Sequence, residues 1–253
     1  MSTQFRAVVC PIFNESAAWQ DVCLTLSDMF DLVVVVDDGS RNAAPNHERE
    51  NVVVLRHDVN QGKGRALETG FRYCLDRGAD FVATIDGDGE HDPINFLEAF
   101  EQCRDIGMVS LSRAPYFGDY DRFRRSRNAI ISARLSKTLG VSIKDTQSGM
   151  RIFSAAAVRS VLNAGLSQGY AVETTVLYRL CLAGFMVKEI PMIAPGVCRA
   201  GKKYANLGAA FSDLRLFLSV LATGRPPRAG NRMSHWHGMS RPLANRARAR
   251  VQK

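Results

Sequence analysis

The chain has 253 residues, with 33 Lys and Arg against 25 Asp and Glu, a formal net charge of +8. Eight of the basic residues and no acid fall in 224–253 (Arg225, Arg228, Arg232, Arg241, Arg246, Arg248, Arg250, Lys253), so residues 1–223 carry 25 of each sign and are neutral. The basic surplus belongs to a tail, which excludes a basic nucleic-acid-binding body.

Hydrophobic residues make up 46% and charged residues 23%, the composition of a folded soluble domain. Short β-branched runs at Phe5–Phe13 and Leu32–Val36 predict buried strands. Glu15–Met29 between them has helical spacing. Asn51–Leu55 predicts a third strand, Gly64–Leu75 a helix, Asp80–Ile85 a fourth strand, Ile94–Cys103 a helix begun by Pro93, and Met108–Leu111 a fifth strand. Helices follow over Asp121–Leu139 and Tyr170–Ala183, then a strand over Met186–Ile190 and a helix over Leu207–Ala222. The alternation implies an α/β fold with a mainly parallel sheet flanked by helices, whose ligands sit beyond the carboxyl ends of the strands. Residues 1–223 read as one domain, with 1–112 forming one half and 113–223 the other; 224–253 is rich in Arg, Pro, Gly, Ser and Asn and predicts disorder.

Six cysteines (Cys10, Cys23, Cys74, Cys103, Cys181, Cys198) show no paired spacing and are expected to be reduced. No basic segment followed by an apolar one opens the chain, so no signal peptide is expected. Asp213 and Arg215 interrupt the longest apolar stretch, which is too short to span a bilayer.

Three expected strand ends carry acids or amides: Asn14-Glu15, Asp37-Asp38-Gly39-Ser40 and Asp86–Asp92. In an extended segment, side chains two apart face the same way, so Asp86, Asp88 and Glu90 would converge and suit Mg²⁺ or Mn²⁺. The alternative is a solvated acidic turn. Asp38 could accept hydrogen bonds from a ribose or a base, or simply close a turn. Asn60-Gln61-Gly62-Lys63-Gly64 precedes a helix and could present a cation and amides to phosphate, although it is not a Walker A loop. Arg113, Arg122, Arg124, Arg125 and Arg127 form either a phosphate-binding cluster or a solvated helix face.

In order, Cys10–Glu15, Asp37–Ser40, Asn60–Gly64, Asp86–Pro93 and Asp145-Thr146-Gln147-Ser148-Gly149-Met150-Arg151 resemble the motifs of family 2 glycosyltransferases, most closely those acting on dolichyl and polyprenyl phosphate. The likeness runs from about Phe5 to about Leu221. It implies a GT-A fold, a nucleotide-diphosphate sugar donor, a divalent cation and inversion at the anomeric carbon. By the same likeness Pro11, Phe13, Glu15, Asp38, Lys63 and Asp86 would hold the donor, and Asp86, Asp88 and Glu90 the metal. The family commonly has Gln where this chain has Glu90. Arg113 and Arg127 would stabilise phosphate charge, and Ser132, Arg151, Glu173, Arg199 and Lys203 would serve the acceptor. The family's later R-x-x-G-x-S-K element survives only as Arg199-Ala200-Gly201-Lys202-Lys203.

A hydroxyl acceptor would require a carboxylate to take its proton, with Asp145 as candidate; a lipid phosphate would not. The amphipathic 207–222 segment and the basic tail predict peripheral contact with an anionic membrane or a membrane-protein partner at the cytoplasmic face, and no specific nucleic acid. The other readings are a transferase with a soluble or glycan hydroxyl acceptor and a non-catalytic nucleotide-sugar-binding protein.

Overall fold

A computed structural model describes residues 4–15, 17–103, 105–119, 122–167, 171–194, 215, 218–220, 222–223 and 225–226. In chain order the strands are β1 (Arg6–Ile12), β2 (Leu32–Asp37), β3 (Val52–Arg56), β4 (Phe81–Thr84), β5 (Met108–Ser112), β6 (Arg151–Ser154) and β7 (Val187–Pro191). The helices are α1 (Ala18–Ser27), α2 (Lys63–Asp76), α3 (Phe96–Ala99), α4 (Arg122–Leu139), α5 (Ala155–Ala164) and α6 (Val172–Leu182).

The strands form one sheet in the order β3-β2-β1-β4-β6-β5-β7. Strands β1 to β4 pair in parallel, as does β5 with β7. Strand β6 runs antiparallel to both β4 and β5. Strand β6 thus stands between β4 and β5. Neither β6 nor α5 is among the sequence expectations. The predicted helix over Ile94–Cys103 is also broken, into two 3₁₀ turns on either side of the single turn of α3.

Strand alternation explains the layers. Val8, Cys10, Val33, Val35, Ala83 and Ile152 face one way and pack on Trp19, Cys23 and Leu26 of α1 and on Phe96 and Phe100. Their neighbours Ala7, Val9, Val34, Val36, Val82 and Phe153 face the other way, onto α2, α5 and α6. Helix α4 lies apart from both layers. Its Ile131 and Leu135 pack with Ala171 and Val220, the one buried residue among those described in the predicted 207–222 helix. No described helix is long and apolar enough to cross a membrane. The five described cysteines are free, four of them buried; Cys198 lies outside the described residues.

Because β6 is reversed, its first residue Arg151 lies opposite Thr84, at the carboxyl edge of β4. The segment before β6 therefore joins the loops that follow β1, β2, β4 and β5 at a single edge.

Close packing fixes α2 against β1. A Cβ on Gly70 would fall 2.3 Å from Cγ1 of the fully buried Val9. Alanine normally favours a helix over glycine, yet Gly70→Ala is expected to destabilise the protein by about 1–3 kcal/mol through overpacking, measured by chemical denaturation.

Candidate active site

Two loops are stitched together beside β1. Asn14, with φ of 52°, receives the Arg41 amide on Oδ1 at 2.9 Å, and its own amide donates to the Ser40 hydroxyl at 2.8 Å. Asp37 accepts from the Ser40 and Ala44 amides and pairs with Arg56. Asp38 is 3% exposed and accepts from the Gln61 amide at 3.0 Å and the Gly62 amide at 2.7 Å, while His57 lies 2.6 Å away. Asp38 therefore braces the turn before α2, a part the expected nucleoside contact did not include. Gly39 makes this closure possible: its φ is +74°, and a Cβ would fall 2.5 Å from the Val59 carbonyl carbon. Pro11 lines a small cavity beside Lys63. Phe13 and Glu15, both half-buried, continue from β1 at the same edge.

Lys63 begins α2 and reaches across the strand ends. Its Nζ lies 2.5 Å from Asp86 Oδ1 and 2.5 Å from Glu173 Oε1. Burial alone would lower the pKa of Lys63, but the two carboxylates raise it above its ordinary value. Burial alone would raise Asp86, but Lys63, then His91 and Arg113, hold it well below the usual carboxylate range.

The acidic loop is not extended. Gly89 has φ of +76°, and the Glu90 amide donates to Asp88 Oδ1 at 3.0 Å, which folds the segment into a turn. Asp86 points to Lys63, and Glu90 lies 3.7 Å from Arg113. The expected convergence of three carboxylates is therefore not met: among the described residues, no group of three or more His, Cys, Asp or Glu is placed to hold a metal ion. The donor chemistry nevertheless fits a hard divalent cation. Lys63 faces two acids and Arg113 faces two, so two cations meet four carboxylates within one array. His91 adds a further observation. It is 1% exposed, burial lowers its pKa, and neither ring nitrogen has a hydrogen-bond partner among the described residues. A buried imidazole so placed beside the acidic loop carries unsatisfied bonding capacity.

The second half of the site is built on Asp145. Its carboxylate is fully buried and receives Arg113 through Nε at 2.8 Å and a terminal nitrogen at 3.0 Å, together with Asn128 Nδ2 at 2.9 Å. Burial would raise its pKa, but Arg113 and then Asn128 hold it at about 2. Glu189 of β7 accepts the Lys144 and Asp145 amides, which fixes the loop from the other side. The candidate proton acceptor is thus committed to positioning Arg113. Ser132 and Arg151, expected to meet the acceptor, are likewise interior. Ser132 accepts the Thr146 amide at 3.1 Å, and Arg151 donates to the carbonyls of Ser148, Thr146 and Glu173. Glu173 is spent on Lys63. Arg127 is buried on α4 beside Asn128, while Arg122 and Arg125 are exposed. Arg199 and Lys203 lie outside the described residues.

The positioning residues His57, Asn128 and Glu189 carried no sequence signal as site residues, because each acts through a partner distant in the chain. Asn14 stood out in the sequence as a strand-end amide, and the structure adds its bonds to Ser40 and Arg41.

Residues 7–164 match the family model for glycosyl transferase family 2. The chain is 29% identical over 199 residues to an undecaprenyl-phosphate mannosyltransferase of Micrococcus luteus, covering 73% of this chain and 81% of that protein. It is 25% identical over 183 residues to a UDP-N-acetylglucosamine–dolichyl-phosphate N-acetylglucosaminyltransferase of Methanococcus voltae, covering 63% and 73%. In fold it resembles glucosyl-3-phosphoglycerate synthase of Mycobacterium tuberculosis, crystallised with Mn²⁺, UDP and glucosyl-3-phosphoglycerate. The TM-score is 0.58 and the identity 20%, over 88% of this chain and 81% of that one.

The Asp145 pair has a pH signature. Its folded pKa is below the ordinary ~3.9, so the stability it adds is complete above about pH 4 and is lost as pH falls toward about 2. Denaturation across that window is expected to show a loss of about 2 kcal/mol from this group, which Asp145→Asn removes.

Proposed function

The chain belongs to glycosyl transferase family 2, and from that premise we propose that it moves a hexose from a nucleotide-diphosphate sugar to a polyprenyl phosphate with the help of a divalent cation, inverting the anomeric carbon. The observation that carries this reading is the charge array at the carboxyl edge: Asp86, Asp88 and Glu90 on one turn, with Lys63 and Arg113 directed into it. The polyprenyl-phosphate and dolichyl-phosphate acceptors named for the relatives support the choice of acceptor.

In this reading Asp86, Asp88 and Glu90 hold Mg²⁺ or Mn²⁺. Bound there, the ion would offset charge developing on the leaving diphosphate. Arg113 is pre-oriented for the same task. Its bidentate pair with Asp145 fixes the guanidinium plane, so little reorganisation is needed when negative charge arrives. Lys63 and the Gly62–Gly64 turn border the donor side, with Pro11, Phe13 and Glu15 continuing that edge. Asp38 keeps the Gln61–Gly62 amides in place.

The state of Asp145 favours a phosphate acceptor over a hydroxyl one. A hydroxyl must lose a proton to a base, and Asp145 is locked to Arg113. A phosphate monoester, with a second pKa near ~6, arrives already ionised and attacks without a strong base. The amphipathic 207–222 segment and the basic tail suit peripheral contact with an anionic lipid surface or a membrane-protein partner at the cytoplasmic face. In this arrangement residues 1–112 serve the donor and 113–223 the acceptor.

The test uses the full chain, a panel of radiolabelled nucleotide sugars, Mn²⁺ and polyprenyl phosphate in vesicles. Label is expected to pass into the organic phase, and Asp88→Ala to cut that transfer by about 10²-fold or more with an unchanged circular dichroism spectrum. Full transfer by Asp88→Ala without added metal, or label found only in water-soluble product, would overturn the reading.

A further inference from the structure

Lys63 holds a position that a simple phosphate-binding lysine would not need. Its ammonium stands midway between two carboxylates of different elements, 2.5 Å from Asp86 on the acidic loop and 2.5 Å from Glu173 on α6. Glu173 is the more buried of the two, with a side chain 8% exposed against 26% for Asp86. Its backbone carbonyl is also tied to Arg151 at 2.6 Å, so α6 holds it in place. A cavity of about 20 Å³ opens among Lys63, Asp86, Glu173, Pro11, Thr84 and Gly149. That is room for about one water molecule, enough for the ammonium to shift.

The two oxygens of Asp86 are not equivalent. Oδ2 is packed against Gly149 so closely that a Cβ there would fall 2.3 Å from it. Oδ1 is the oxygen that Lys63 holds. A metal taking Oδ1 has to displace the ammonium from it, because two cations cannot share that oxygen without repulsion. Lys63 has a second carboxylate already within contact distance, to which it can withdraw.

We propose that Lys63 is a resident counter-cation that competes with the divalent metal for Asp86, and that Glu173 sets the metal affinity by receiving Lys63 when the metal binds. Without metal, Lys63 neutralises Asp86 and keeps the loop folded. With metal, the Lys63–Glu173 pair takes over the lysine charge, and Asp86 turns its oxygen to the ion. Glu173 is then a positioning residue, acting on the metal only through Lys63. The inference rests on the metal reading given above for Asp86, Asp88 and Glu90.

Mn²⁺ binding to the full-length chain, followed by the electron paramagnetic resonance of free Mn²⁺ with no donor present, tests it. Glu173→Gln is expected to weaken binding about tenfold, because Lys63 then has Asp86 alone. Lys63→Met is expected to tighten it, and adding Glu173→Gln to Lys63→Met to change nothing further. If Glu173 acted only through its own charge, the two substitutions would offset and the double variant would bind like the wild type; that result overturns the inference. The double variant, which removes Lys63 together with its partner carboxylate, decides the matter even where Lys63→Met alone does not fold: binding tighter than wild type supports the competition. No Mn²⁺ binding by the wild type, or binding that Asp88→Ala leaves unchanged, overturns the metal reading and this inference with it. An unaltered affinity in Glu173→Gln overturns this inference alone.

Discussion

The buried pair between Arg113 and Asp145 is the joint on which the second half of the site depends. It ties the end of β5 to the loop before β6. Asn128 brings α4 to the same carboxylate, and Glu189 brings β7 to the loop's amides. A buried ion pair is costly to desolvate, so it persists only where further hydrogen bonds complete it. Here the completion is generous, and its product is an arginine whose plane is set before any substrate arrives. A cation so fixed can stabilise negative charge with little reorganisation.

A second joint, formed by Asp38, plays the matching part in the first half of the site. By taking the Gln61 and Gly62 amides it draws the turn before α2 against the end of β2, with Gly39 giving the space. The turn in turn aims Lys63 at Asp86. Both halves of the site therefore use an interior carboxylate to orient a cation, and in both the cation faces a member of the acidic loop. The loop's folded shape, with its acids paired to Lys63 and Arg113 rather than to each other, is the electrostatic consequence. Like charges held close together need opposite charge beside them, which Lys63 and Arg113 supply here.

Much of the first half was legible in the linear pattern. The alternation of valines in β1 and β2, the helical spacing of α1 and α2 and the strand-end acids all report local periodicity, which short runs of residues determine. The resemblance to family 2 glycosyltransferases rested on motifs of that kind. What stayed hidden was the reversal of β6. Arg-Ile-Phe-Ser is only four residues long and reads as the tail of a motif, and strand direction is decided by pairing partners rather than by propensity. That reversal carries Asp145, Arg151 and Gly149 to the edge where Asp86 lies, so missing it also hid which of those residues touch substrate and which support others.

The sequence by itself determined the class of fold, the separation of a neutral body from a basic tail and the set of residue types assembled at the strand ends, because composition and period are properties of the chain alone. Only the tertiary structure decided the division of labour among those residues. Asp38, Asp145, Ser132 and Arg151 were all candidates in the sequence, yet each is buried and bonded to other parts of the chain. Burial and partner geometry come from elements tens of residues away, Lys63 with Glu173 and Arg113 with Asp145, and no local pattern encodes which charge will find which.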